Sequence, residues 1–200
     1  METCERILIE RSKKGDIEAF EKLVEAYQKK VFNIALGMLN NYDDASDIAQ
    51  EVFIRVFKSI KSFKGESAFS TWLYRITTNA CLDELRKSKN KTKNIVSIDE
   101  DIHFEDGEAA RQIVDDSPSP DMIVEANELK NIVNDAIEEL SEEHKTVIIL
   151  REIQGFSYEE IADIIKSPQG TVKSRISRAR NILKDILKNK MELYDKDYVK

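Results

Sequence analysis

The stretch that most restricts what this chain can fold into is SYEEIADIIKSPQGTVKSRISRARNILKDIL, Ser157–Leu187. Its apolar residues Tyr158, Ile161, Ala162 and Ile165 recur at helical spacing and mark one buried face. Ser157 followed by Glu160 makes a capping-box pair, which sets where that helix begins. Ser167 and Pro168 predict a second start, an N-cap followed by proline at the first helical position. The second helix carries Val172, Ile176, Ala179, Leu183 and Ile186 on its inner stripe. At about 100° per residue, Thr171, Ser174, Ser177 and Arg178 fall on the opposite side, flanked by Lys173, Arg175 and Arg180. A short capped helix, a tight turn and a longer helix with a basic outer face together read as a helix-turn-helix. Its second helix suits the major groove of DNA. Arginine and lysine reach guanine edges or phosphates there, and short hydroxyls let the backbone come close. Taken alone, the charges also fit an ordinary amphipathic helix with a solvated basic face.

The same helical period runs through most of the chain. The expected fold class is all-α, with two small helical domains joined by a flexible acidic linker. The expected ranges are 1–93, 94–126 and 127–200. In the first domain the periodicity predicts a helix over Asp16–Leu39, with Asp16 as N-cap. A second follows over Asp44–Ile60 and a third over Ala68–Lys89, and the three pack as a small bundle. The linker is acidic and holds the breaker-rich SPSP at Ser117–Pro120, a composition that does not build a core. The second domain opens with a helix over Ile123–Leu140. Ser141 then caps a helix carrying Val147, Ile148, Leu150 and Ile153, which Gly155 ends.

The formal net charge is −7, unusual for a DNA binder, because affinity comes largely from neutralised phosphates. Either the DNA contact is local and weak, or a partner supplies positive charge. Cys4 and Cys81 lie far apart, and Cys81 reads as a small buried residue. His103 and His144 have no companion ligands nearby, so neither a metal nor any other cofactor is expected. No Ser/His/Asp set or phosphate-binding glycine loop is present, so no catalytic residue is assigned. The start of the chain lacks a signal-peptide core, and the longest apolar stretch, Val31–Leu39, is too short to span a bilayer. A cytoplasmic location without membrane insertion is the expectation.

Three segments resemble the extracytoplasmic-function sigma factors of bacterial RNA polymerase. DASDIAQEVFIRVFKSI (Asp44–Ile60) and FSTWLYRITTNACLDELRK (Phe69–Lys87) resemble sigma region two. LSEEHKTVIILREIQGFSYEEIADIIKSPQGTVKSRISRAR (Leu140–Arg180) resembles sigma region four. Both in this order, with only a short connector between, match the compact form of the family.

The resemblance implies a factor that binds core RNA polymerase and directs it to promoters with defined minus-ten and minus-thirty-five elements. Asp44, Asp47, Gln50 and Glu51 would dock on the clamp coiled coil of the largest subunit, and the second domain on the flap of the second. By spacing alone these carboxylates also fit a solvated helix start. Phe63, Lys64, Arg75, Asn79, Arg86 and Lys87 would contact the minus-ten element. Trp72 and Tyr74 stand among those cations, in a pattern that suits unstacked bases, although Trp72 shares the core stripe. Thr171, Lys173, Ser174, Arg175, Ser177 and Arg178 would contact the minus-thirty-five element. An anti-sigma factor is the usual further partner, and the acidic linker would thread the polymerase channel. A dimeric operator-binding regulator is the competing reading. It requires two-fold symmetric sites and a sensor in the first domain.

Overall fold

The computed structural model describes residues 2–94 and 120–198, and among these all regular structure is helical. Helix α1 (Glu2–Lys13) precedes the expected bundle. Ile9 is buried against the core and Leu8 packs beside it. The Tyr27 hydroxyl donates to the Glu5 carboxylate, and Arg11 Nε donates to Asp16 at 2.7 Å, so α1 is held at both ends.

Helix α2 (Ile17–Leu39) begins as expected, because the Asp16 carboxylate accepts from the Ala19 N–H. It ends where Asn40 turns left-handed at φ 52°. Helix α3 (Tyr42–Ser59) starts two residues before its expected position. The side chain of Asn41 caps the Asp44 N–H, so the acidic run lies inside the first turn rather than before it. A 3₁₀ turn at Ile60–Ser62 and a loop lead to α4 (Phe69–Asn94). Leu23, Ile34 and Met38 of α2, Val52 and Val56 of α3 and Leu73 of α4 share one buried core, where the three helices meet. These helices and α1 form the first module.

Most of the expected acidic linker, residues 95–119, lies outside the described residues, as does His103. Helix α5 (Pro120–Glu138) begins within the range assigned to the linker. Pro120 occupies the first helical position, where its missing N–H costs nothing, so a residue that composition reads as a breaker is here a helix start. Ser141 caps α6 (Glu142–Ile148), accepting from the His144 N–H. A π turn, Ile149–Ile153, follows. Its extra residue rotates the buried face, so Ile149 is enclosed, whereas Ile153, expected in the core stripe, is 52% exposed. Gly155, at φ 75°, reverses the chain into the helix-turn-helix.

Helix α7 (Tyr158–Ile165) has the full capping box: Ser157 Oγ accepts from the Glu160 N–H, and the Glu160 carboxylate accepts from the Ser157 N–H. Its buried residues are Ile161 and Ile164, with Tyr158, Ala162 and Ile165 packed at the margin. Lys166 turns left-handed at φ 51° and links to α8 (Gln169–Tyr198). The Pro168 carbonyl accepts from the Val172 N–H, so proline stands at the cap, one residue before its expected place. Val172, Ile176 and Ala179 are buried, as the stripe requires.

The two modules are packed together, α4 against α7 and α2 against the π turn. A Cβ at Gly37 would lie 2.9 Å from Ile149 Cγ2, so α2 approaches this closely only because it carries glycine there. Among the described residues no helix is long and apolar enough to cross a membrane.

Candidate nucleic-acid interface

Helix α8 offers the expected polar face. Lys173, Ser174, Ser177 and Arg178 are exposed, opposite the buried Val172, Ile176 and Ala179. Thr171 is half-buried, and its carbonyl accepts from Ser174 Oγ at 2.9 Å. Arg178 and Ser177 have no ion pair or hydrogen-bond partner among the described residues. Arg175 differs, because its guanidinium lies 3.0 Å from Glu143 in the first turn of α6. Arg180 donates to one Glu152 oxygen through Nε and Nη2, at 3.0 and 2.7 Å, and this hydrogen bonding raises its pKa. Lys173 Nζ stands 6.0 Å from the centre of the Tyr158 ring, and Arg151 lies 4.7 Å from the same ring centre.

The expected minus-ten residues lie on α4 and the loop before it, in unequal settings. Lys64, Asn79, Arg86 and Lys87 are exposed. Phe63 is buried, its ring 5.6 Å from Phe69 and 5.1 Å from Trp72, with Lys13 of α1 over it at 5.5 Å. Its ring is part of the support beneath the loop, and the loop presents Lys64 and Glu66 outward. Trp72 belongs to the same aromatic group. Tyr74 is 8% exposed, packed 5.3 Å from Phe156 of the second module. Burial, reinforced by the Glu5 and Glu160 carboxylates, pushes its hydroxyl up to about 12.

Several α4 cations are engaged within the chain. Arg75 Nη2 donates to the Asp163 carbonyl of α7 at 2.7 Å, while its Nε is enclosed without a partner. Arg86 lies 3.5 Å and Lys89 2.9 Å from Glu142 of α6, and Lys87 pairs with Glu84 at 3.1 Å. Asn79 and Arg86 face Glu142, Glu143 and Arg175 across a cleft of about 180 Å³.

The acidic face of α3 is free of the second module. Asp44, Asp47 and Gln50 are exposed, whereas Glu51 is half-buried and accepts from Arg55 at 2.6 and 3.0 Å. Beside them Phe32, Phe53 and Ile54 line an apolar groove between α2 and α3. Cys81 is buried, which pushes its thiol up to about 12, and Cys4 is exposed. Among the described residues no cluster of histidine, cysteine and carboxylate could hold a metal.

Sequence reasoning missed Lys30, Gly37 and Phe156. Lys30 Nζ donates to the Gln154 carbonyl at 2.7 Å and lies 4.7 Å from the Phe156 ring, and burial lowers its pKa. The one available signal was a lone glycine inside the strong helical pattern of α2.

Residues 23–91 match the family model for Sigma-70 region 2, and residues 130–183 match that for Sigma-70 region 4. The chain is 42% identical over 185 residues to the ECF RNA polymerase sigma-E factor of Haemophilus influenzae, covering 90% of this chain and 94% of that one. It is 39% identical to the ECF RNA polymerase sigma factor SigW of Bacillus subtilis, covering 94% of this chain and 100% of the relative. Among solved structures, it superposes with a TM-score of 0.61 on the sigma factor RpoE in complex with the anti-sigma factor NepR from Bartonella quintana. That match is 25% identical and covers 84% of this chain and 96% of RpoE. CnrH, solved with the cytosolic domain of CnrY, shares the fold at a TM-score of 0.66 and 23% identity, covering 93% and 98% of the two chains.

Proposed function

This chain belongs to the extracytoplasmic-function sigma factors of bacterial RNA polymerase, which direct promoter-specific transcription initiation, and we propose how its modules divide that work. The first module, residues 1–93, docks on core polymerase and opens the minus-ten element. The second, residues 127–200, grips the minus-thirty-five element. The observation that carries this reading is the outer face of α8. Lys173, Ser174, Ser177 and Arg178 are exposed on a helix whose opposite side is buried, behind a capped α7. That is the arrangement by which a recognition helix enters a major groove.

Asp44, Asp47 and Gln50 form the docking face for a basic partner helix, the clamp coiled coil, with Glu51 as a flank held by Arg55. Lys64 and Asn79 meet the unpaired minus-ten strand directly, and Arg75, Arg86 and Lys87 join once released from Asp163, Glu142 and Glu84. The factor works in the cytoplasm, contributes no catalytic group of its own, and is held in reserve by an anti-sigma protein, as NepR holds the related RpoE. A palindrome-binding regulator has no support, since both modules match sigma regions.

The test is reconstituted transcription. Core polymerase plus this protein should initiate from a narrow subset of a promoter library that core alone ignores. Equal output with and without the protein would reject the reading.

A further inference from the structure

We infer that the cleft bounded by α2, α5 and the π turn is a binding site for a purine nucleoside phosphate, with the base on an apolar floor and the phosphate between two lysines. This goes beyond the sigma-factor reading and does not depend on it. The cleft measures about 520 Å³, within the range of small-molecule sites, and such sites favour the seams between packed units. It shares no residue with the outer face of α8, with α4 or with the acidic face of α3.

The floor follows from the change of phase at the π turn. The extra residue turns Ile149 inward against Gly37 and leaves Ile153 52% exposed. Both isoleucines line the cleft, together with Leu36 and Ile137. Apolar side chains left open in a concave, partly polar setting are better covered by a flat ring than by water.

The charge of the cleft is positive. Lys30 of α2 donates to the Gln154 carbonyl at 2.7 Å and has two further N–H groups for an anion. Burial lowers its pKa, which shows that water is partly excluded there, and a phosphate charge would be felt more strongly for the same reason. Lys130 lines the cleft from α5, exposed and without an ion pair or hydrogen bond among the described residues. Glu138, the one carboxylate among the lining residues, already pairs with Lys145 at 2.6 Å. In a chain of net charge −7 the cleft is a local site that favours an anion.

Side-chain amides complete the lining. Asn33, Asn40 and Asn134 border the cleft, and none of their side chains has a hydrogen-bond partner among the described residues. Gln154 Nε2 donates to the Asn33 carbonyl at 3.1 Å, which fixes that amide and leaves its oxygen as an acceptor. Such amides carry paired donors and acceptors that match the edge of a purine. A fatty acid or an inorganic phosphate would leave them idle, whereas a nucleotide engages floor, amides and cations together.

The test is isothermal titration calorimetry on the full-length chain with ADP and GDP, beside adenosine, guanosine and inorganic pyrophosphate. At least one of the two nucleotides should bind at one site per chain, with a dissociation constant below about 1 mM, and raise the melting temperature as a native-state ligand does. Lys130→Glu and Ile153→Asp, both at exposed positions, should each weaken that nucleotide at least about tenfold while unfolding of the unliganded chain stays cooperative. Lys184→Glu makes the same change of net charge on α8, outside the cleft, and should leave the affinity unchanged. No saturable binding of either nucleotide would overturn the inference, as would full affinity in the Lys130 and Ile153 variants. A nucleoside that binds as tightly as its nucleotide would show the lysines idle, and pyrophosphate that binds as tightly would show the floor and amides idle; either result sinks the nucleotide site. An equal loss in Lys184→Glu would assign the binding to net charge and remove the cleft from the account.

Discussion

Arg178→Ala separates base reading from everything else α8 does. The side chain is exposed and has no ion pair or hydrogen-bond partner among the described residues, so its removal should alter folding stability by no more than about 0.5 kcal/mol. If the guanidinium reads a guanine edge, its loss costs about 1–3 kcal/mol, a factor of roughly 5–150, confined to promoters that carry the matching base. Arg180→Ala is the contrast. Arg180 spends two donors on Glu152; if its remaining donors grip phosphate rather than a base edge, its loss should weaken all promoters alike. The assay is transcription by reconstituted holoenzyme from a library randomised across the minus-thirty-five element, with transcripts counted by sequence. The Arg178 variant should flatten the preference at one position while a thermal melt stays unchanged. A uniform loss across the library refutes base reading by Arg178. A large fall in melting temperature refutes the premise that the side chain is free.

Two further outcomes follow from the caps. Ser157→Ala removes half of the α7 capping box and should cost about 1 kcal/mol, lowering the melting temperature by roughly 2–4 °C; an unchanged melt by circular dichroism would deny the cap any energetic role. The Ala19 N–H, and then Arg11, hold the Asp16 carboxyl below its ordinary 3.8. A depressed folded value gives stabilisation that is complete above pH 3.8 and is lost as pH falls through that lower value, so Asp16→Asn should flatten this part of the acid limb in urea titrations, and parallel limbs would contradict the assignment.

The helices were legible in the sequence wherever local chemistry decides them. Asp16, Ser141 and Ser157 each carry a side-chain acceptor ahead of an apolar period, and each caps its helix in the structure. The stripe Val172, Ile176, Ala179 is buried because nothing interrupts its period. The α6 stripe failed at Ile153 because the π turn inserts a residue, a change of phase with no local composition to announce it. Helix α1 is not announced by its sequence, because its place is set by distant partners, Tyr27 to Glu5 and Lys13 to Phe63. The exposed polar face of α8 could be read from one helix. The setting of the α4 site could not, because what occupies Arg75 and Tyr74 comes from residues 88 and 82 positions further along the chain.

That occupation bears on the net charge of −7. Internal carboxylates pair with cations of α4 and α8: Glu142 lies 2.9 Å from Lys89 and 3.5 Å from Arg86, and Glu143 lies 3.0 Å from Arg175. On the proposed reading, phosphate would compete for these cations. Salt acts on both sides of that competition. Each phosphate contact makes log K fall with log salt by about 0.7–0.9. Salt also screens the exposed internal pairs and frees the same cations, which offsets part of the fall. The free wild-type chain should therefore lose DNA affinity less steeply with salt than a chain carrying Glu142→Gln and Glu143→Gln, in which Asp83, 3.6 Å from Arg86, is the carboxylate left at these cations. The double variant should bind more tightly at low salt, and the two curves should converge as salt rises. Fluorescence titrations with a mixed-sequence DNA across a salt series measure both slopes. Parallel lines would mean that Glu142 and Glu143 do not compete with phosphate for Arg86, Lys89 and Arg175, and the negative charge of the chain would then need another account.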